Sequence, residues 1–502
     1  MSFNSRSILQ SLAFVCCTIL VATAFGQPKT LTILHTNDIH AAFVPHEATW
    51  IRQSPKPLVG GFRELEFAID SIRKVKSDVL LLDAGDVMTG NPITDRVYRG
   101  VEGGALFEMM NLVGYDAWCI GNHDFDISQK NLIGLTKIAN FPTLSANIVN
   151  NKNEFPVNNK DYIILERGGL RIGIFGLMSQ GLYGLVNQNN LTGIKVLSPV
   201  ETAQKIIDKI DAETDLIIAV THQGVEDDSI MAANTHGLDI VVGGHSHTRL
   251  TKPRFVNDVI IVQTGSRCEN LGELEITVDN DKVVKYNGKL IQLWANNSRP
   301  PTRLSALVDS MNTELEKEYS QVIGELKSDW ERGRGESNIG NFIADAQHDA
   351  AHADVGFMNS SGIRANVSAG PLTKQELFEV LPFRNVLTTF QLTGKELQSV
   401  ILFTRKRDEA VLISGITAKV KQVSDDEFKL LDVKINGKPL KESKRYICAA
   451  SDFMVGQSKK YLGLEIEHPI YLQQTVFEAL EKAVRKTKNI PTTYEARIQT
   501  IK

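Results

Sequence analysis

The sequence predicts an α/β protein with a layered first domain joined by a helix to a smaller second domain, and three observations support this. Short apolar runs of strand length alternate with helix-like stretches from Leu31 to about Val262. Such alternation is typical of sheets covered by helices. A proline pair and one long helical pattern then follow. After them, residues from about 322 to the end are left to form a second domain.

The length and charge of the chain limit its class. At 502 residues it is too long for one hydrophobic core, which predicts two or three domains. Its composition, 42% hydrophobic and 23% charged, is that of an ordinary globular protein. A net charge of -4 argues against a general nucleic-acid binder, because such proteins need a basic surface to neutralise phosphates. Any binding of an anion would therefore depend on local groups.

The first 26 residues have the layout of a cleavable secretory signal. Arg6 precedes the largely apolar stretch 8–24, which ends in the small residues Ala22 and Ala24, and Gly26 follows. This layout predicts cleavage after Ala24 or Gly26, with an uncleaved membrane anchor as the alternative. We therefore expect an exported protein in the periplasm, at the cell surface or outside the cell. No stable membrane span is expected after cleavage.

Apolar runs and amphipathic stretches define the expected elements of the first domain. The predicted strands are residues 31–34, 79–82, 117–120, 172–177, 216–220, 240–242 and 259–262. The predicted helices, with apolar residues at helical spacing and charges on the other face, are residues 62–76, 106–113, 129–138 and 200–212. The sheet is therefore expected to be buried on both sides.

Metal-binding types of side chain follow these strands. Asp38 and His40 come after the first run and would project from the same face of an extended backbone. Alone, such a pair is more often a solvated strand end than a metal site. Four more runs end in similar residues, which are Asp86, Asn122 with His123, His222, and His245 with His247. Because ligand sites in α/β folds gather at the carboxyl ends of strands, this repetition favours one shared site.

The chemistry of these residues predicts a pair of divalent metal ions. The candidate ligands are Asp38, His40, Asp86, Asn122, His222, His245 and His247. A set of Asp, Asn and His without Cys suits Mn, Zn, Fe or Co better than calcium or a thiolate zinc site. The set is too large for one tetrahedral ion and suits two ions that share Asp86 as a bridge. We therefore expect a hydrolase built around a metal pair.

Five motifs stand in order along residues 30–270: Asn37-Asp-Ile-His40, Gly85-Asp86, Gly121-Asn-His-Asp-Phe-Asp126, Thr221-His222 and Gly244-His-Ser-His247. They resemble the calcineurin-like metallophosphoesterases and, within them, the secreted 5'-nucleotidase family. The resemblance implies that one metal is held by Asp38, His40 and His247, the other by Asn122, His222 and His245, with Asp86 between them. It also implies that His123 is a catalytic histidine whose tautomer and charge are fixed by Asp126.

The boundary between the domains is expected near Pro300-Pro301. Residues 286–301 are polar, and residues 304–319 have helical periodicity. The expected organisation is a signal peptide at 1–26, a metallophosphoesterase domain at 27–300, a connecting helix at 301–321 and a substrate-binding domain at 322–502.

The second domain contains a further set of motifs: Glu336-Ser-Asn-Ile-Gly-Asn-Phe-Ile-Ala-Asp345, Asn359-Ser-Ser-Gly-Ile-Arg364, Gly370-Pro-Leu-Thr373, Val380-Leu-Pro-Phe-Arg-Asn385, Leu392-Thr-Gly-Lys-Glu-Leu397 and Asp452-Phe453. They resemble the 5'-nucleotidase C-terminal domain. The resemblance implies that two rings clamp a base while Arg and Asn bind phosphate and nucleoside, at Asn359, Arg364, Phe383, Asn385 and Phe453. Without the family, the two phenylalanines would more often be core residues.

The chain departs from the family pattern around this clamp. Ser360-Ser361 and Arg384 stand where the family has glycines, and Gly456-Gln-Ser-Lys-Lys-Tyr461 replaces a Gly-Gly-Asp-Gly-Tyr loop. The Asp of that loop, which helps to hold the nucleoside, is absent. If the added cations point into the cleft, they predict a preference for substrates with more than one phosphate. Arg332 and Arg334 bracket the expected position of a further phosphate arginine.

The sequence therefore predicts a secreted two-metal phosphohydrolase that releases phosphate from nucleoside 5'-monophosphates or related nucleotides through a metal-bound hydroxide. A cyclic-nucleotide or nucleotide-sugar phosphodiesterase, or a thiosulfohydrolase-like enzyme, are alternatives on the same scaffold. A catalytically silent surface binding protein would lack ligands, and none is missing here. No nucleic-acid polymer is expected as a partner. Metal identity, base preference and oligomeric state stay open.

Overall fold

The computed structural model describes residues 27–501 except residues 54, 297, 334, 408, 426 and 491–493. The predicted signal peptide at 1–26 lies outside the described residues. So does Arg334, one of the two arginines that bracket the further phosphate position.

The first domain consists of strands and helices that alternate along the chain. Its strands are β1 (Lys29–Thr36), β2 (His46–Glu47), β3 (Leu58–Val59), β4 (Val79–Asp83), β5 (Val97–Tyr98), β6 (Val101–Glu102), β7 (Ala117–Cys119), β8 (Thr143–Leu144), β9 (Ile148–Val149), β10 (Tyr162–Arg167), β11 (Leu170–Met178), β12 (Lys195–Val196), β13 (Leu216–His222), β14 (Ile240–Gly243), β15 (Arg254–Val256), β16 (Val259–Val262), β17 (Asn270–Asp279) and β18 (Lys282–Gln292). Its helices are α1 (Phe62–Arg73), α2 (Gly104–Val113), α3 (Gln129–Ile138), α4 (Pro199–Ile210), α5 (Val225–Asn234) and α6 (Arg303–Tyr319).

Within the described residues, the larger strands of this domain form two six-stranded sheets. Their strand orders are β18-β17-β1-β4-β7-β8 and β10-β11-β13-β14-β16-β15. The sheets face each other across a core that includes Ile33 and Leu80 from the first and Ile174 and Ile218 from the second. Helices α1, α2, α3 and α6 cover the outer face of the first sheet, and α4 and α5 cover the second. The α/β prediction is thus confirmed as four layers.

The predicted strands are buried on both faces as expected, but they form two sheets instead of one. Each predicted strand is present, but the strands divide between the two sheets. An apolar run shows that a strand is buried on both faces and does not show whether a helix or another sheet covers it. The polar segment 286–301 is strand as far as Gln292, because β18 is an edge strand with mostly exposed side chains.

Helix α6 packs on the first domain rather than spanning a gap. Thr302 caps it by accepting a hydrogen bond from Ser305 N at 3.0 Å. Leu304, Val308 and Leu315 are buried in the core that α1 and α2 share. The helix therefore forms part of the outer layer, while the predicted domain limits at 300 and 321 stay predictions.

The second domain is also α/β. Its strands are β19 (Val322–Leu326), β20 (Val355–Asn359), β21 (Gly370–Thr373), β22 (Val386–Thr393), β23 (Val411–Ser414), β24 (Ile416–Gln422), β25 (Phe428–Ile435), β26 (Lys438–Pro439), β27 (Arg445–Ser451), β28 (Ile470–Thr475), β29 (Asn489–Ile490) and β30 (Ile498–Ile501). Its helices are α7 (Asn338–Ala350), α8 (Lys374–Val380), α9 (Gly394–Arg405), α10 (Asp452–Gly456), α11 (Ser458–Leu462) and α12 (Val476–Thr487). The central sheet has the order β23-β20-β27-β22-β28. One core joins it to α7 and α12, and another joins it to α9.

Candidate active site

The predicted ligands converge where strands of both sheets end. Asp38 and His40 follow β1, Asp86 follows β4, Asn122 follows β7, His222 ends β13, and His245 and His247 follow β14. The first three of these strands belong to one sheet and the last two to the other. The candidate site therefore lies across one edge of the whole sandwich.

These residues form two adjacent groups with metal-ligand chemistry. In one group, ligand atoms of Asp38, His40 and His247 lie within 4.8 Å of one another, and in the other those of Asp86, His222 and His245 do. Asp86 Oδ2 is 3.1 Å from His222 Nε2 and 3.9 Å from His40 Nε2. One oxygen of Asp86 thus lies near both groups, as a shared ligand requires.

Backbone carbonyls orient two of the imidazoles. The Nδ1 atom of His222 is 2.7 Å from Ala84 O, and that of His40 is 3.0 Å from Thr89 O. A carbonyl oxygen only accepts, so each Nδ1 carries the proton and donates it. Once Nε2 carries no proton, its lone pair is therefore available to a cation in both rings.

Two buried oxygen atoms fit bound cations. Among the described residues, Asp38 Oδ1 and Asn122 Oδ1 have no hydrogen-bond partner. The other oxygen of Asp38 accepts from Asn37 Nδ2 at 2.7 Å and from His245 N at 2.9 Å. Because buried polar atoms are ordinarily paired, unpaired acceptors beside imidazole nitrogens fit the ligands of a cation.

Charges at the site favour binding of cations. Burial lowers the pKa of His222, but the Asp86 and Asp38 carboxylates outweigh it and raise that pKa to about 10. For Asp86 the directions are reversed. Burial raises its pKa, but His222 and His123 outweigh burial and hold the pKa well below its usual range. Ionised carboxylates thus meet a protonated imidazole, and a cation that binds His222 must displace that proton.

Several ligand residues have a backbone conformation that L-residues rarely adopt. The φ angles are 51° at Asp38, 48° at His40, 58° at Asp86, 77° at His245 and 53° at His247. Left-handed backbone costs roughly 1–2 kcal/mol for each residue with a Cβ. It persists here because neighbouring contacts fix it, such as the bond from His40 N to Asp86 O at 2.9 Å. The turns at the strand ends thus aim the side chains at one place.

A carboxylate to which sequence reasoning gave no role holds the loop of Asp86. Asp124 is buried and accepts bonds of 2.7 to 3.1 Å from the backbone N–H groups of Asp86, Val87, Met88 and Gly121. Burial, followed by the charge of Asp86, raises the pKa of Asp124 to about 7. The only signal in the sequence was an acidic residue directly after His123.

His123 and Asp126 form the pair that the sequence predicts. His123 Nδ1 lies 2.7 Å from Asp126 Oδ2, which also accepts from Thr89 Oγ1 at 2.8 Å. Burial lowers the pKa of His123, but Asp126 and Asp86 outweigh it and raise the pKa above its ordinary value. His123 Nε2 is 4.0 Å from Asp86 Oδ2 and lines the cleft between the domains. The imidazole is thus placed to act as a cationic donor.

The cleft has a volume of about 950 Å³ and reaches from the ligand groups to the second domain. The predicted substrate-binding residues Asn359, Arg364, Phe383, Asn385 and Phe453 all line it. Arg364 Nη2 is 3.3 Å from His40 Nε2, and the ring of Phe383 is 5.7 Å from that of His123. Arg332 also lines the cleft, and its Nη1 donates to Arg364 O at 2.9 Å. The two phenylalanines are therefore cleft residues and not fully buried core.

The added cations of the second domain already have partners. Arg384 Nη2 lies 2.7 Å from Asp95 Oδ1 and 2.6 Å from Glu102 Oε1 across the cleft. Lys459 pairs with Glu465 at 2.7 Å, and Lys460 donates to Gly184 O at 3.1 Å. Arg384 and Lys459 are thus paired with carboxylates, while Arg384 and Lys460 also line the cleft, and the preference for substrates with more than one phosphate stays a prediction.

Comparisons with known proteins agree along nearly the whole chain. Residues 31–249 match the family model of the calcineurin-like phosphoesterases, and residues 322–463 match that of the 5'-nucleotidase C-terminal domain. Protein UshA of Escherichia coli strain K12 is 30% identical over 488 residues, which cover 86% of this chain and 86% of that protein. A 5'-nucleotidase of Vibrio cholerae serotype O1 is 28% identical over 542 residues, which cover 95% and 94%.

A solved structure extends this likeness to the fold. The 5'-nucleotidase precursor of Thermus thermophilus superposes with a TM-score of 0.83 at 26% identity, over 94% of this chain and 99% of that one. The chain therefore belongs to the 5'-nucleotidase family of calcineurin-like phosphoesterases, a family of metal-dependent hydrolases of phosphate monoesters.

Proposed function

We propose that the chain is an exported two-metal phosphohydrolase that releases phosphate from nucleoside 5'-monophosphates or related nucleotides. The observation that carries this proposal is one cleft with two ligand groups on one wall and an arginine and two aromatic rings on the other. Phosphate and nucleoside would bind at opposite ends of that cleft.

The ligand groups would each hold one divalent ion. Asp38, His40 and His247 would hold the first and Asn122, His222 and His245 the second, with Asp86 shared. A bound pair of such ions supplies an activated water and neutralises charge that develops on the phosphoryl group. Oxygen and imidazole ligands suit Mn, Zn, Co or Fe.

The phosphate end combines two cationic side chains of the protein. Arg364 lies beside His40 and can direct two N–H groups at phosphate oxygens. His123, held by Asp126, would donate from Nε2 to the transferring phosphoryl group or to the leaving oxygen. His123 is held by Asp126 before substrate binds, so the transition state gains this donor without reorganisation of the site.

The nucleoside end would stack a base on Phe383 and Phe453. Stacking on an aromatic face tolerates different bases, because every base has such a face. Asn359 and Asn385 line the same region and supply amide groups for hydrogen bonds. Recognition of the base is thus expected to be broad.

The proposal of export rests on the pattern of residues 1–26. Across the part of the chain that the structure describes, no helix has the length and apolar character that a membrane span needs. Sequencing the amino terminus of the protein recovered from outside the cytoplasm tests the proposal. Cleavage after Ala24 or Gly26 would support it, and an intact Met1 would contradict it.

Release of the product expected from each substrate tests the activity, namely phosphate from nucleoside monophosphates, the nucleoside monophosphate from a cyclic nucleotide or a nucleotide sugar, and sulfate from a thiosulfate ester. Each of Mn, Zn, Co and Fe would be supplied in turn with nucleoside monophosphates, a cyclic nucleotide, a nucleotide sugar and a thiosulfate ester. We expect the monophosphates to be hydrolysed fastest. Faster cleavage of the cyclic nucleotide, the nucleotide sugar or the thiosulfate ester would replace the proposed function with that activity.

His123→Ala is expected to lower turnover by about 10²- to 10⁴-fold, the usual contribution of a general acid or base. Metal content should stay unchanged, because His123 lies outside both ligand groups. Phosphate release and elemental analysis measure the two effects. His236→Ala, at an exposed histidine outside the cleft, is the control. Loss of a metal from His123→Ala would instead make His123 a ligand.

Phe453→Ala is expected to lower kcat/KM for AMP by about one to two orders of magnitude, the equivalent of one lost stacking contact. Phosphate release from an alkyl phosphate should change little, because that substrate has no ring to stack. Phe155→Ala, at an exposed phenylalanine outside the cleft, is the control. Equal losses on both substrates would show that Phe453 only supports the fold.

A further inference from the structure

We propose that Glu409 determines specificity for the nucleoside, with a carboxylate that accepts hydrogen bonds from the ribose hydroxyl groups. The proposal rests on the proposed function and names the part of the substrate that this wall of the cleft recognises. Glu409 lies between α9 and β23, and its side chain is 25% exposed. It lines the cleft together with Phe453 and Tyr461.

Neighbouring side chains fix the Glu409 carboxylate. Its Oε1 atom accepts a hydrogen bond from Ser361 Oγ, and Asn359 Nδ2 donates to the same hydroxyl at 2.9 Å. Its Oε2 atom lies 3.8 Å from Arg407 Nη2, and Arg407 Nη1 donates to Lys460 O. A carboxylate has about four lone-pair positions, so these contacts leave Glu409 able to accept further bonds.

The charge of Glu409 excludes phosphate as its ligand. Phosphate is expected at the other end of the cleft, where Arg364 and His123 supply positive charge beside the ligand groups. A carboxylate that faces a substrate cleft instead needs donors such as hydroxyl groups. In a nucleotide stacked on Phe453, the ribose carries a pair of hydroxyls, and one carboxylate can accept from both.

Tyr461 makes the same wall polar without adding charge. Burial, followed by the charge of Glu409, raises the pKa of Tyr461 to about 12, so its phenol stays neutral. The centre of its ring lies 6.0 Å from the centre of the Phe453 ring and 5.0 Å from Lys460 Nζ. Ser361, which donates to Glu409, and Lys460 line the same wall of the cleft.

The test compares three substrates in the metal-loaded enzyme. They are AMP, 2',3'-dideoxy-AMP and p-nitrophenyl phosphate, of which only the first has ribose hydroxyls. We expect Glu409→Ala to lower kcat/KM for AMP by about 10- to 100-fold, the worth of a hydrogen bond to a charged group, and Glu409→Gln to lower it less. Values for the other two substrates should stay near those of the wild type, so the preference for AMP over its dideoxy analogue should disappear.

Two further variants sharpen the result. Ser361→Ala removes the hydroxyl that holds Glu409 and should reduce the same preference. Glu465→Gln removes an exposed carboxylate outside the cleft and should change nothing. An unchanged preference in both Glu409 variants, or equal losses on all three substrates, would overturn the role of Glu409 while the proposed function stands. A wild type that hydrolyses none of the three would overturn both.

Discussion

Asp86→Ala is expected to abolish phosphate release, with a loss of at least about 10³-fold, the upper end of what one transition-state donor contributes. The loss should exceed that of any other ligand, because Asp86 Oδ2 lies within 3.9 Å of a ligand atom from each group. Its Oδ1 atom also accepts from His123 N at 2.7 Å, so the proposed catalytic histidine would lose support as well. Turnover and metal content per chain measure the effect.

Two controls separate this effect from general damage. Asp228→Asn alters another buried carboxylate, which accepts from Thr221 Oγ1 at 2.6 Å and belongs to neither ligand group. It should destabilise the fold with little loss of metal. His247→Gln keeps a polar side chain at an outer ligand position and should reduce activity less than Asp86→Ala. An Asp86→Ala enzyme that keeps both metals and wild-type turnover would disprove the shared ligand.

Chelation should abolish activity completely, and Mn, Co or Zn should restore it. Water is a poor nucleophile at neutral pH. The side chains at the site can bind cations but cannot activate water in place of the cations. Phosphate release before and after dialysis against a chelator measures the effect, with a sample never exposed to chelator as control. Full activity in a sample shown by elemental analysis to lack metal would contradict the two-metal proposal.

We expect that restoring the activity of the chelated enzyme will need a higher metal concentration as the pH falls. Burial lowers the pKa of His222, but the Asp86 and Asp38 carboxylates outweigh burial. Without a bound cation, they raise this pKa to about 10. The protonated form therefore dominates at neutral pH, and each metal that binds His222 releases a proton. Titration with Mn at several pH values tests this, and an affinity that does not change with pH would count against His222 as a ligand.

The candidate ligands could be predicted from the sequence because each one lies at the end of an apolar run. Strand ends are local features, and the spacing of His123 and Asp126 is also local, so both were accessible without the fold. The division into two sheets could not be predicted from the sequence, because a strand covered by a helix and a strand covered by another sheet have the same apolar pattern. Strand β18 was missed because its exposed edge residues are polar.

The cleft was harder to predict, because its contacts join distant parts of the chain. The partners of Arg384 lie 289 and 282 positions away, and no pattern near Arg384 announces them. The same holds for Glu409, whose contact Ser361 is 48 positions away. Motifs thus indicate which residues matter, while long-range packing decides which charges are already neutralised.

The position of β1 in its sheet has a consequence for the nascent chain. β1 pairs with β4 on one side, but its other neighbour is β17, which is synthesised long after β4. Asn37, which donates to Asp38, is itself held by Thr264 N at 2.8 Å and Gly265 O at 2.7 Å. Until Thr264 and Gly265 have left the ribosome, Asp38, the first of the proposed ligands, lacks these supports, because a residue cannot pair with a partner that is not yet synthesised. Metal uptake is therefore expected to follow synthesis of the first domain rather than to guide its early folding.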